Sequence, residues 1–163
     1  MIGFLAVAGA LTLSSPAFTE GGAIPSKFTC DAGTTNPSPA LAWKDAPAGT
    51  KSFVLILHDP DVPFGGGFTH WVLFDVPAST TGLPENFQPA SVGVSGNSGF
   101  RRPGYSGPCP PTGSHHYHFI LSALDVESIG AAAGATKADV EKAMAGHVLG
   151  TAELVGMYQR TPK

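Results

Sequence analysis

Ser52-Phe53-Val54-Leu55-Ile56-Leu57-His58-Asp59-Pro60-Asp61-Val62-Pro63 runs from an almost wholly apolar segment into a turn stiffened by two prolines. The apolar part, Ser52 to Leu57, contains β-branched residues and is bounded by Gly49-Thr50 and Asp59-Pro60, the profile of a buried strand. Working outward, His70 to Val76 reads the same way and closes at Pro77, Tyr117 to Leu124 ends at Asp125, and Thr151 to Tyr158 is expected as a last strand. One helix is expected over Lys137 to Gly146. Thr136 can cap it, Asp139 sits in its first turn, and Val140, Ala143, Met144 and His147 or Val148 recur on one face. Between these elements lie Asn36 to Pro39, Pro63 to Thr69, Pro84 to Pro103 and Gly104 to Ser114, all rich in Gly, Pro, Ser and Asn and read as loops. The chain therefore reads as mainly β, with helix near the C-terminus.

Bulk properties agree with that reading and narrow the function. With 163 residues, the chain suits one domain, taken as residues 11–163 behind an apolar leader or signal remnant over residues 1–10. No Lys or Arg precedes that short apolar run, so a complete signal peptide is not established, and no segment is long and apolar enough to span a bilayer. The compartment stays open between cytoplasmic and periplasmic or secreted. Charged residues make up only 13%, while Gly 21 and Pro 15 supply many shaped turns. A formal net charge of −3 offers no global attraction to nucleic acid, so any anion must be bound locally. Cys30 and Cys109 lack CxxC or zinc-finger spacing; one disulfide is open to them, but two buried free thiols are the expectation.

The chemistry-bearing residues cluster around the loops. Asp59 and Asp61 sit on a proline-stiffened frame, where they either accept hydrogen bonds from loop amides, as Asp does in many turns, or line a site. His70 follows a three-glycine loop at a strand start. Strand alternation places His115 and Tyr117 on one face and His116 and His118 on the other. Asp59, His70, His115 and Tyr117 could thus share one concavity able to donate to a phosphate or carboxylate, or serve as acid and base. There is no GxSxG, Walker loop or GxGxxG after a strand, and Ser106 reads as a turn residue. His116 and His118, two apart on a strand face, lack an established metal-ligand pattern, so neither a metal nor another cofactor is expected.

These motifs resemble the phosphatidylethanolamine-binding protein (PEBP) family, in its bacterial and archaeal, Raf kinase inhibitor-like branch. The resemblance is carried by Phe28-Thr29-Cys30-Asp31, Ser38-Pro39-Ala40-Leu41-Ala42-Trp43, Asp59 to Pro63, His70-Trp71-Val72-Leu73-Phe74, Gly104 to Pro111, His115-His116-Tyr117 and the tail around Gly146 to Leu149 and Ala152 to Gly156. It implies a PEBP-like antiparallel β-sandwich with a few peripheral helices and a shallow anion pocket. Carried over by position, the pocket residues are Asp59, His70, His115 and Tyr117, with Gly107 and Pro108 as rim. Two departures stand out. Gly113-Ser114-His115-His116 has His116 where the family usually has Arg, which removes a permanent charge that could hold a neighbouring loop, and Asn97-Ser98-Gly99-Phe100-Arg101-Arg102 replaces the usual approach to Gly104-Tyr105. Arg101 or Arg102 is a candidate for the missing cation.

The expected function is non-enzymatic binding of a small phosphorylated or carboxylated anion, with a phosphorylated protein partner or kinase signalling as its setting. A hydrolase or lyase using a pocket His is one alternative; a protease or kinase inhibitor acting through the Pro84 to Ser114 surface is another. The sequence leaves room for a homodimer.

Overall fold

The computed structural model describes residues 9–160, so the leader expected over residues 1–10 lies, except for its last two residues, outside the described residues. In chain order the strands are β1 (Thr12–Ser14), β2 (Leu41–Lys44), β3 (Ser52–Asp59), β4 (Phe68–Pro77), β5 (Gly82–Leu83), β6 (Val94–Ser95), β7 (Ser114–Leu124) and β8 (Val148–Gln159), with one α-helix, α1 (Lys137–Met144), before β8. They form two antiparallel sheets, a five-stranded one in the order β6-β4-β3-β7-β8 and a three-stranded one in the order β1-β2-β5. Two short 3-10 turns, Ser26–Phe28 and Cys30–Ala32, complete the regular structure among the described residues.

The apolar run of β3 is explained by its place at the middle of the large sheet, where both faces are covered. Phe53, Leu55 and Leu57 enter the larger core with Trp71, Leu73, Phe119 and Leu121, together with Leu13, Leu41 and Trp43 from the small sheet. Val54 and Ile56 point the other way, against Val72, Phe74, Leu124 and the wholly buried Val140 of α1. The helix is only eight residues long and relies on this packing and on its cap: Thr136 Oγ1 accepts from Asp139 N, and the Asp139 carboxylate accepts from Thr136 N.

All four expected strands form, each longer than its apolar run. β3 and β7 continue through polar residues at the same end of the sheet, with His58 opposite His118, and that end carries the site. The short strands β1, β2, β5 and β6 carry too few residues for a periodic signal. The expectation of two free thiols is overturned: Cys30 and Cys109 form a disulfide, their Cα atoms 5.4 Å apart. Their sequence separation of 79 residues concealed a local pairing, in which Cys30 N donates to Pro108 O at 3.1 Å.

Candidate functional site

Asp59 is the last residue of β3 and falls on the same face as Leu55 and Leu57, while His115, Tyr117, Phe119 and Leu121 line that face of the neighbouring β7. Alternation on two adjacent strands thus brings Asp59 to His115, with Asp59 Oδ2 2.7 Å from His115 Nδ1. Both are buried, at 1% and 6% exposed, and a carboxylate so placed needs partners for both oxygens. Oδ1 accepts from Asp61 N at 2.8 Å, closing the proline turn on itself. The turn reading therefore holds on one oxygen, while the other is taken by His115. With Nδ1 of His115 facing Asp59, Nε2 is the ring nitrogen left for a ligand.

His70 reaches the same face by a different route. Regular alternation would send it with Val72 and Phe74 towards α1. Instead β4 bulges: Leu57 pairs with Trp71 and His58 with Thr69, so His70 is the extra residue. A bulge of this kind re-aims a side chain, and the His70 ring lies edge-on to Tyr117 at 5.4 Å. Nδ1 of His70 donates to Ser106 O at 2.8 Å, and Ser106 N returns a bond to His70 O at 2.9 Å. Burial pushes the His70 pKa below its ordinary value, against the upward pulls of the Ser106 carbonyl and the Asp59 charge. His70 is therefore neutral at neutral pH, and its Nε2 is a hydrogen-bond acceptor.

Tyr117 stands between the two imidazoles, stacked on His115 at a centroid distance of 6.5 Å. Its side chain is wholly buried and its hydroxyl makes no hydrogen bond among the described residues. Burial first, and the nearby Asp59 charge second, push its pKa well above the ordinary phenol value, so it is a proton donor. Asp59 is near enough to act on it electrostatically, yet the two make no hydrogen bond of ordinary geometry. Buried hydroxyls are seldom left in this state, and those that are call for an explanation, a bound water or ligand among them.

The rim is the run from Gly104 to Cys109, pinned at nearly every residue. Tyr105 Oη donates to Phe28 O at 2.7 Å, Gly107 N donates to Asn36 Oδ1 at 2.9 Å, and Cys109 is bonded to Cys30. Gly107 has to be glycine because a Cβ there would lie 2.4 Å from both Phe28 O and Asn36 Oδ1. Ser106, read from sequence as a turn residue, fixes His70 through its backbone while its own buried Oγ finds no partner among the described residues. Ser106 and Asn36 are the site residues that sequence reasoning missed; the only signal was their place in and opposite the rigid Gly-Tyr-Ser-Gly-Pro-Cys run.

His116 stands where the resemblance expects Arg, and it holds the loop. Its backbone N and ring Nδ1 both bond Asp61 Oδ2, at 2.8 and 2.6 Å, and these bonds hold the Asp61 carboxyl below its ordinary pKa. His118, on the same outward face, lies against Glu153. Neither Arg101 nor Arg102 pairs with Asp59 or Asp61; the Arg102 guanidinium lies over the Phe100 ring, 5.3 Å from its centroid. Two sizeable concavities lie away from these groups. One of about 580 Å³ is lined by Ala131, Ala135, Asp139 and Lys142 beside α1. Asp59, His70, His115 and Tyr117 instead form a buried cluster beside the rim, exposed to 1%, 4%, 6% and 0%.

Comparison with known proteins identifies the family and supports the fold. Residues 14–159 match the family model described as phosphatidylethanolamine-binding protein. The UPF0098 protein of Aquifex aeolicus is 45% identical over 162 residues, covering 96% of this chain and 93% of its own length. The UPF0098 protein YbhB of Escherichia coli is 42% identical over 129 residues, or 76% of this chain and 82% of YbhB. Among solved structures, CT736 of Chlamydia trachomatis, described as a PEBP homologue, superposes with a TM-score of 0.85 at 38% identity, covering 93% of this chain and 99% of its own. Escherichia coli YbcL, described as a member of the mammalian PEBP family, gives 0.85 at 30% identity, covering 94% and 100%. The chain belongs to the phosphatidylethanolamine-binding protein family.

Proposed function

We propose that this protein binds a small phosphorylated or carboxylated anion without turning it over, in the site formed by Asp59, His70, His115 and Tyr117 under the Gly107-Pro108 rim. The observation that carries the reading is the Tyr117 hydroxyl, buried and unpartnered between two imidazoles. Tyr117 donates to one ligand oxygen. His115, with Nδ1 donating to Asp59, donates from Nε2 to a second oxygen as the imidazolium, and the neutral His70 accepts from an oxygen that carries a proton. A monoprotonated phosphoryl group meets all three requirements, so binding strengthens from about pH 8 to about pH 6, as a phosphomonoester gains its second proton. The family's name, which refers to a phosphoryl head group, supports the same class.

The Asp59–His115 pair also has the form of an oriented general base, which keeps a hydrolase or lyase in view as a second reading. Against it, Cys109 is consumed by the disulfide, and the Ser106 hydroxyl bonds to neither imidazole. That same disulfide favours an oxidising compartment. Isothermal titration with phosphate, O-phosphoserine and phosphoethanolamine tests the proposal. Binding that His115→Ala or Asp59→Ala weakens supports it, and absence of binding by the wild type would sink it. Turnover of a phosphoester that either substitution abolishes would favour the second reading.

A further inference from the structure

Ser106 and Gly107 separate the anion site from a second concavity of about 320 Å³, whose other walls include Asn36, Phe100, Arg102 and the disulfide. That volume is several times what a phosphate needs, and two of its polar side chains, Ser106 and Arg102, are unspent. Ser106 is only 2% exposed, and its buried Oγ has no hydrogen-bond partner among the described residues. Arg102 makes none of the ion pairs found among the described residues. Asn36, by contrast, is fully engaged with Gly107 N, Thr29 O and Gly33 O, and serves as wall. Asp31, the carboxylate adjacent to Cys30, is tied to Tyr158 and Arg160.

A continuous aromatic path links the two places. His70 meets Phe68 at 5.0 Å, and Phe68 meets Phe100 edge-on at 4.8 Å, with the Arg102 guanidinium over Phe100. A guanidinium stacked on a ring keeps its N–H edge free, and that edge matches a carboxylate or phosphoryl group.

We propose that the ligand is bipartite: a phosphoryl group under the rim, joined by a short apolar linker along Phe68 and Phe100 to a second anionic group held by Arg102 and Ser106 Oγ. The proposal rests on the anion-binding reading above and sharpens it. A ligand tail ending in an ammonium group, as in an ethanolamine head group, meets a like charge at Arg102 and binds less well than a carboxylate tail.

The test is calorimetric titration at neutral pH with inorganic phosphate, two carboxylate-tailed ligands (phosphoglycolate and phosphonobutyrate) and two ammonium-tailed ones (phosphoethanolamine and aminobutylphosphonate). Each is run against the wild type, Arg102→Gln and Arg101→Gln. At one or both linker lengths the carboxylate tail is expected to bind roughly tenfold more tightly than the ammonium tail, the effect of one charge-assisted hydrogen bond discounted for solvent. Arg102→Gln should bring that ratio to within about twofold while phosphate affinity stays put, which also reports an intact fold; Arg101→Gln should leave the ratio unchanged. Phosphate binding with equal tails, an ammonium preference, or a carboxylate preference that survives Arg102→Gln would overturn the bipartite ligand and leave the anion site standing. Failure of phosphate and all four tailed ligands to bind would overturn both.

Discussion

Replacing Tyr117 with Phe should make the ligand-free protein more stable and a worse binder. The hydroxyl is wholly buried and has no hydrogen-bond partner of ordinary geometry among the described residues, so the protein itself returns little of its desolvation cost. That penalty is about 1–3 kcal/mol, and removing one oxygen forfeits only some tenths of a kcal/mol in dispersion contacts. The net expectation is a gain of about 1 kcal/mol, equivalent to about 2–4 °C in Tm for a chain of this size. The same change removes a donor to the bound anion and should weaken phosphate binding about three- to tenfold, the value of one hydrogen bond. Urea denaturation in anion-poor buffer, paired with phosphate calorimetry on the same preparation, reads both numbers. A Tyr117→Phe protein that is less stable and binds phosphate as well as the wild type would refute the reasoning, because the hydroxyl would then serve the fold and not the ligand.

Three further outcomes follow from the same geometry. Cys109→Ala, or reduction, should cost about 2–4 kcal/mol in urea denaturation: the chain-entropy value for a 79-residue separation is about 4.5 kcal/mol, and measured disulfides usually return less; an unchanged midpoint would show that the Cys30 and Cys109 segments stay together without the bond. Gly107→Ala should cost about 1–3 kcal/mol and loosen anion binding, since its Cβ would meet two oxygens at 2.4 Å; calorimetric scanning that finds an unshifted Tm would mean the rim is free to move. The Asp61 carboxyl is held low by the His116 ring and then by the His116 amide. Its contribution to stability is therefore present above the unfolded carboxylate pKa of about 3.9 and is lost as pH falls through the lower folded value. His116→Ala should flatten stability against pH below about pH 4, and an identical acid limb in both proteins would remove His116 from that role.

Much of this was legible in the sequence because it depends on alternation and on chain punctuation. The apolar run of β3 announced a strand covered on both faces. His115 and Tyr117, two apart on β7, were bound to share a face, and the Thr136 cap with Asp139 announced α1. What stayed hidden depends on how distant segments meet. The bulge that turns His70 into the site leaves no trace in its own strand, because it is a mismatch between Leu57-His58 and Thr69-His70-Trp71. The disulfide joins loops that meet where the rim lies against Phe28 and Asn36. His116 was recognised as a departure from the expected Arg, but its service as the Asp61 anchor required both the outward face of β7 and the closure of the Asp59-Pro60-Asp61 turn. Arg101 and Arg102 were both candidates for the missing cation; the place of Arg102 over Phe100, across the Ser106 wall from His70, could be read only from the folded loop.

The most direct test of the anion site is side-chain NMR of the histidine and tyrosine rings during a phosphate titration. The account predicts saturable shifts at His70, His115 and Tyr117, with His118 and His147 unmoved and the Tyr117 response lost in His115→Ala. Saturable binding that moves other rings and leaves these three in place would contradict it.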